Sequence, residues 1–195
     1  MNLPEGYRYS AVYAGIRKVP KDDLALIVSD KPAAAAAVFT TNRVVAAPVE
    51  IARKNLRASG GRVRAILVNA GNANCATRTG DRVALETCRA ASAELGCRVE
   101  HVIPASTGVI GVEMEVEKIV RALPRLKRNL APDAFEDVAH AIMTTDTAHK
   151  VASAEVNIRG RQVRIAGMTK GAGMIMPNMA TTPSPWYCMT APPYL

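Results

Sequence analysis

The chain has 195 residues, of which 49% are hydrophobic and 22% charged, enough for one medium globular domain with a real core. No segment reaches the roughly 18 uninterrupted apolar residues of a membrane-spanning helix, and the start MNLPEGYRYS has no basic patch followed by an apolar stretch, so the expectation is a cytoplasmic protein with no membrane partner. The net charge of +8, from 25 basic and 17 acidic residues, raises the question of nucleic acid. Its clusters, Arg53, Lys54 and Arg57, then Arg125, Lys127 and Arg128, lie at helix-like spacing with few aromatic rings to stack bases, which reads as a solvated face with no nucleic acid bound.

In chain order, the first third predicts short apolar strands at Leu24 to Val28, Ala34 to Phe39 and Val63 to Val68. The last runs into NAGNAN, Asn69 to Asn74, whose residue types tolerate left-handed backbone and bond back to their own main chain. A strand ending in such a loop often places function there. Helical spacing follows over Asp81 to Leu95, through Ala84, Leu85, Cys88, Ala91 and Leu95, with Asp81 as the cap and Gly96 as the stop. Val102 to Gly111 predicts a short strand broken by Pro104 and opened by Ser106, Thr107 and Gly108.

A second helix carries Val116, Ile119, Val120 and Leu123 and is expected to end near Pro124. A third begins at Pro132 and aligns Phe135, Val138, Ala139 and Ile142. Val151 to Ile158 and Gln162 to Ala166 flank Arg159 and Gly160, a two-residue hairpin signal. The sum is an α/β fold of mixed α+β layers without internal repeat. Cys75, Cys88, Cys97 and Cys188 form no CxxC pair, and the three histidines stand in unrelated contexts. No metal site is expected, and the thiols read as reduced and mostly structural.

The least ordinary segment is TKGAGMIMPNMAT, Thr169 to Thr181. Lys170 precedes both of its glycines, so it is no phosphate loop of the GxxxxGK[ST] type. Read in order with NAGNANCAT (Asn69 to Thr77), PASTGVIG (Pro104 to Gly111) and IMTTDT (Ile142 to Thr147), it resembles the bifunctional ornithine acetyltransferase and N-acetylglutamate synthase family of arginine biosynthesis. AGIRK (Ala14 to Lys18), LALIVSD (Leu24 to Asp30) and AVFTTNRVVAAPV (Ala37 to Val49) fit the same pattern.

The resemblance implies the layered fold of self-processing acyltransferases and a precursor that cuts itself before a threonine, here between Ala180 and Thr181. Thr181 would then head a β chain as its nucleophile, with the freed α-amino group, of reference pKa about 8, as a local base. The nucleophile would take acetyl from N-acetylornithine as an ester and pass it to glutamate. The resemblance maps the oxyanion donors to Thr107 and Gly108, and each such donor is typically worth about 3 to 4 kcal/mol of barrier. Lys170 suits a substrate carboxylate. Among Thr144, Thr145 and Thr147, Thr147 is chosen as the substrate contact. No bound cofactor is implied; acetyl-CoA is a further acetyl donor, as substrate. The implied partner is the β chain, in a heterotetramer of two α and two β chains.

The resemblance divides the chain into residues 1–180, α-chain-like, and a tail of residues 181–195 that begins at the nucleophile. From Thr182 the tail reads TPSPWYCMTAPPYL, with four prolines, no charge and the single tryptophan. Such proline spacing prevents a central strand. Back-translated from the third base of the Thr182 codon, the tail can encode an apolar run ending in an acid, as the family has, so a slipped reading frame is expected. The alternative reading is an inactive remnant without its β chain.

Overall fold

The structure is a computed structural model and describes residues 1–171, residue 178 and the backbone of residues 187–190. Four strands, β1 (Tyr7–Val12), β2 (Leu24–Ala34), β3 (Arg62–Asn69) and β4 (Val102–Ser106), form one sheet in that order. The first two pairings are antiparallel and β3 with β4 is parallel. LALIV is continuously apolar because both of its faces are covered. Leu24, Leu26 and Val28 meet one core with α1 (Ala47–Ala58), α2 (Gly80–Leu95) and α3 (Val116–Arg128), while Ala25 and Ile27 meet a second with α4 (Phe135–Ala141). The expected mixed layers are thus three helices, a sheet, and a fourth helix.

A second sheet, β5 (Lys150–Ile158), β6 (Arg161–Thr169) and β7 (Tyr187–Thr190), is antiparallel throughout. Its hairpin closes as expected: Ile158 pairs with Arg161, and Arg159 and Gly160 take φ of 52° and 77°. In the proline-rich tail, residues 187–190 pair with β6 as an edge strand, a place free of the constraint on central strands.

Six expectations are corrected. The strand expected from Ala34 to Phe39 does not form: Ala34 ends β2 opposite Arg62, where β3 starts, and residues 35–39 lie beyond that pairing. Pro104 does not break β4; β4 is an edge strand, where a missing N–H is tolerated. Asp81 is not the cap of α2: Val83 N–H already donates to the Thr79 carbonyl at 2.9 Å, so the helix starts at Gly80, and the Glu113 carboxylate holds the residue before the cap by accepting from Arg78 N–H at 2.8 Å. Pro124 sits inside α3, where the carbonyl it leaves free belongs to exposed Val120 and the helix regains a buried contact at Leu126. Val120 is therefore not core. Pro132 lies in a turn, because Ala131 still pairs with Tyr9 and holds the chain extended, so α4 starts at Phe135.

Besides β7, the sequence reading lacks β1, whose tyrosines mask its apolar alternation, and α1, whose charged face hides a narrow buried stripe of Pro48, Ile51, Ala52 and Asn55. No helix among the described residues is long and apolar enough to cross a membrane.

Candidate active site

Parallel strands β3 and β4 finish side by side, with Asn69 opposite Ser106, so the loops that follow must meet. In open sheets this carboxyl end is where ligands bind. Here buried asparagines do the joining. Asn69 Oδ1 accepts from Gly71 N–H at 2.9 Å and Asn72 N–H at 3.2 Å, while its Nδ2 donates to the Asn72 carbonyl at 2.6 Å. Asn72 Oδ1 accepts from Asn74 N–H at 2.7 Å, and its Nδ2 donates to the Val112 carbonyl at 2.9 Å. Asn74 stands in the left-handed region at φ 47°. The asparagines are thus consumed in holding backbone, and what the loop presents is its neighbour.

That neighbour is the turn at Thr107 and Gly108. Thr107 N–H donates to the Asn69 carbonyl at 2.9 Å, and Ala73 N–H to the Val109 carbonyl at 2.9 Å, which fixes the turn on both sides. Gly108 has φ 132°, and a Cβ there would stand 2.4 Å from the Gly71 carbonyl carbon, so only glycine fits. Gly108 is exposed and Thr107 half-buried. Among the described residues the Thr107 hydroxyl and the Gly108 N–H have no acceptor. Two adjacent donors without partners on a fixed turn can, chemically, donate to a developing oxyanion.

A second clamp reaches from this loop to the IMTTDT segment. Fully buried Asp23 accepts the N–H groups of Ala14, Ile16 and Arg17 at 2.7, 2.7 and 2.8 Å, folding AGIRK into a tight loop. Arg17 Nε then donates to the Ala70 carbonyl at 2.6 Å, and its other nitrogen to the Ala141 carbonyl at 3.2 Å and to that of Met143. The guanidinium so caps the C-terminus of α4, where a cation is favoured. Burial pulls Arg17 below its ordinary pKa, and the Asp23 carboxylate opposes that shift.

Asp146 continues the chain of contacts. Its Oδ1 accepts from Gly171 N–H at 2.6 Å and from Lys150 Nζ at 3.0 Å, while Oδ2 is buried without a partner among the described residues. Burial pushes the Asp146 carboxyl up, but the Gly171 N–H, Lys150 and Lys170 outweigh it and hold it below the usual carboxylate range. Thr147, exposed, follows directly, and Lys170, half-buried, directs Nζ to the Gly171 carbonyl at 2.9 Å. Asp146 thus draws the Thr147 and Lys170 segments together. Thr145 is exposed and Thr144 half-buried beside it.

Ala180 and Thr181 lie outside the described residues. Asn178, three positions before Thr181, is held: Thr41 N–H and hydroxyl donate to its carbonyl at 2.8 and 2.9 Å, and its Nδ2 donates to Asn42 Oδ1 at 3.3 Å. Arg53 steadies this bracket from α1, donating to the Thr40 carbonyl at 2.6 Å. Sequence reasoning assigned no role to Arg17, Asp23, Asp146 or the Thr41 and Asn42 bracket. AGIRK, IMTTDT and AVFTTNRVVAAPV contain Arg17, Asp146, Thr41 and Asn42, and Asp23 directly precedes LALIVSD, but a backbone clamp has no spacing signature of its own.

Described thiols are free, and burial pushes the Cys88 thiol up to about 12, consistent with a structural role. The Cys188 side chain lies outside the described residues.

The ArgJ family's sequence profile matches residues 8–186. The chain belongs to the ArgJ family. It is 49% identical over 192 residues to the arginine biosynthesis bifunctional protein ArgJ of Nitratidesulfovibrio vulgaris, covering 96% of this chain and 48% of the relative. With the protein of the same name from Chlorobaculum tepidum it shares 45% identity over 91% of this chain and 44% of the relative. The chain therefore spans about half the length of these curated ArgJ relatives.

Among solved structures, the arginine biosynthesis bifunctional protein ArgJ of Bacillus halodurans superposes with a TM-score of 0.83 at 32% identity, covering 91% of this chain and 92% of that one. Ornithine acetyltransferase of Mycobacterium tuberculosis, solved in complex with ornithine, superposes with a TM-score of 0.81 at 34% identity, covering 91% of this chain and 94% of that one. The α/β layers are those of ArgJ crystal structures.

Proposed function

We propose that this chain is the α portion of an acetyltransferase that moves acetyl from N-acetylornithine to glutamate in arginine biosynthesis, with Thr181 as the nucleophile of the β chain that follows residue 180. The observation that carries the reading is the Thr107 and Gly108 turn, two unpaired donors fixed by buried asparagines in a chain of the ArgJ family. The solved relatives support it from another side. This chain covers about half of the curated proteins but over nine-tenths of each solved chain, as expected if the relatives are made long and occur as shorter pieces.

In the self-cleavage step, Thr181 Oγ attacks the Ala180 carbonyl carbon, an ester C–O bond forms, the amide C–N bond breaks, and the α-nitrogen takes up the proton. Water then releases the ester. The bracket on Asn178 supports this step by holding the main chain three residues before Thr181. In the transfer step, the same Oγ accepts acetyl from N-acetylornithine, ornithine leaves, and the glutamate amine takes the acetyl. Each tetrahedral oxyanion is received by Thr107 Oγ–H and Gly108 N–H. Lys170 receives the substrate carboxylate, and Thr147 contacts the substrate beside it.

The resident chemistry needs no bound cofactor; acetyl-CoA enters, where it does, as a second acetyl donor. The working assembly on this reading is a cytoplasmic heterotetramer of two α and two β chains. The test is acetyl transfer by the product of the complete reading frame that carries this chain. Thr181→Ala should abolish cleavage and transfer together, and Thr107→Val should lower kcat by about 10²-fold to 10³-fold. Unchanged kcat in Thr107→Val would overturn the oxyanion assignment.

A further inference from the structure

We propose that the outer face of α3 is a binding site for a small, multiply phosphorylated anion. Lys118, Arg121, Arg125 and Arg128 recur at three- and four-residue intervals, one face of the helix, while Ile119, Leu123 and Leu126 bury the opposite one. Together with Tyr13 at the end of β1 they line a groove of about 370 Å³, the size of a small-ligand site.

The charges in this groove are largely uncompensated. Lys118 pairs with Glu115 at 2.7 Å, and Arg125 donates to the Tyr13 carbonyl. Among the described residues, no carboxylate lies within ion-pairing distance of Arg121, Arg125 or Arg128. The helix dipole favours cations in the last turn, which accounts for Arg125 and Arg128. It disfavours Lys118 in the first turn and does nothing for Arg121 in the middle. Like charges lined up on one face repel, and an anion laid along them relieves that repulsion.

The ligand's size follows from the helix. Residues 118 to 128 span about 15 Å at 1.5 Å per residue, more than one phosphate can bridge and suited to two or three in a row. Arginine forks take phosphate oxygens two at a time. A nucleic-acid strand would need a succession of stacking rings, and this groove has one, Tyr13, whose hydroxyl is tied to the Arg17 carbonyl at 3.2 Å. Inorganic polyphosphate and a nucleotide share the required chemistry.

Titration calorimetry on the 195-residue chain at fixed salt tests this, with inorganic tripolyphosphate, ATP and inorganic phosphate as probes. The expected result is one saturable site for tripolyphosphate, weakened about ten-fold or more in R121E/R128E, with inorganic phosphate binding about ten-fold weaker than tripolyphosphate. Both substituted arginines are exposed, so the double variant should melt with the parent. K54E/R57E, which changes net charge equally on an exposed part of α1, should keep the parent's affinity. ATP tighter than tripolyphosphate would assign the site to a nucleotide, and the reverse order to phosphate alone. No saturable binding, or equal losses in the two double variants, would overturn the proposal.

Discussion

Around Thr107 three buried asparagines hold the backbone through bonds to their own loop and the next, whereas around Lys170 one carboxylate, Asp146, gathers two segments. The first side is an extension of the core sheet, because Asn69 and Ser106 are the last residues of paired strands. The second is tethered to that sheet through Arg17 and to the second sheet at Lys150 and Gly171. The difference teaches that the turn at Thr107 and Gly108 is built in advance by the fold, while the Lys170 side depends on a few charge-assisted bonds and should respond to acid and to single substitutions of charge.

Gly108→Ala attacks the first side where it has no room. Positive φ and a Cβ at 2.4 Å from backbone should together cost about 4 kcal/mol, seen as a fall in Tm of about 8 to 16 °C. Asn69→Ala leaves two N–H groups and a carbonyl unpaired in a buried loop, for about 2 to 3 kcal/mol by chemical denaturation. If Asn69→Ala were neutral, the asparagines would be passengers and the contrast would fail.

On the second side, Asp146→Asn keeps an acceptor for Gly171 N–H and loses the charge, for about 1 kcal/mol at neutral pH. The sign of its pH dependence is fixed by the depressed carboxyl. That contribution is present above the unfolded value of about 4 and is lost as pH falls through the lower folded value. The Tm gap between parent and variant should therefore stay constant from pH 8 to about 5 and close below about 4. Smallest of all, Glu155→Gln removes a surface partner of Arg164 at 3.2 Å and should move stability by no more than about 0.5 kcal/mol.

Much of this contrast was legible in the sequence, for physical reasons that differ by element. LALIV read as a strand because burial on both faces demands unbroken apolar residues, VRAILV because it is apolar apart from Arg64, and the Arg159 and Gly160 turn read as a hairpin because Gly160 supplies positive φ. Thr107, Gly108, Thr147 and Lys170 came from the family pattern and stand at the ends of elements that contacts link. Arg17 and Asp146 were not legible as clamps, since their partners are main-chain groups 124 residues and 25 residues away. The misplaced ends at Pro124 and Pro132 share that cause. A helix runs past a proline or waits beyond it according to what the neighbouring carbonyl and strand are doing, which local sequence does not record.

Mass spectrometry of the complete reading frame's product, incubated with N-acetylornithine and no acceptor, tests the central claim most directly. The account predicts one polypeptide ending at Ala180 and another beginning at Thr181 with a single acetyl group on that threonine, both absent from Thr181→Ala. A folded protein that transfers acetyl with the Ala180 to Thr181 bond intact, or that carries the acetyl group on another residue, would contradict it.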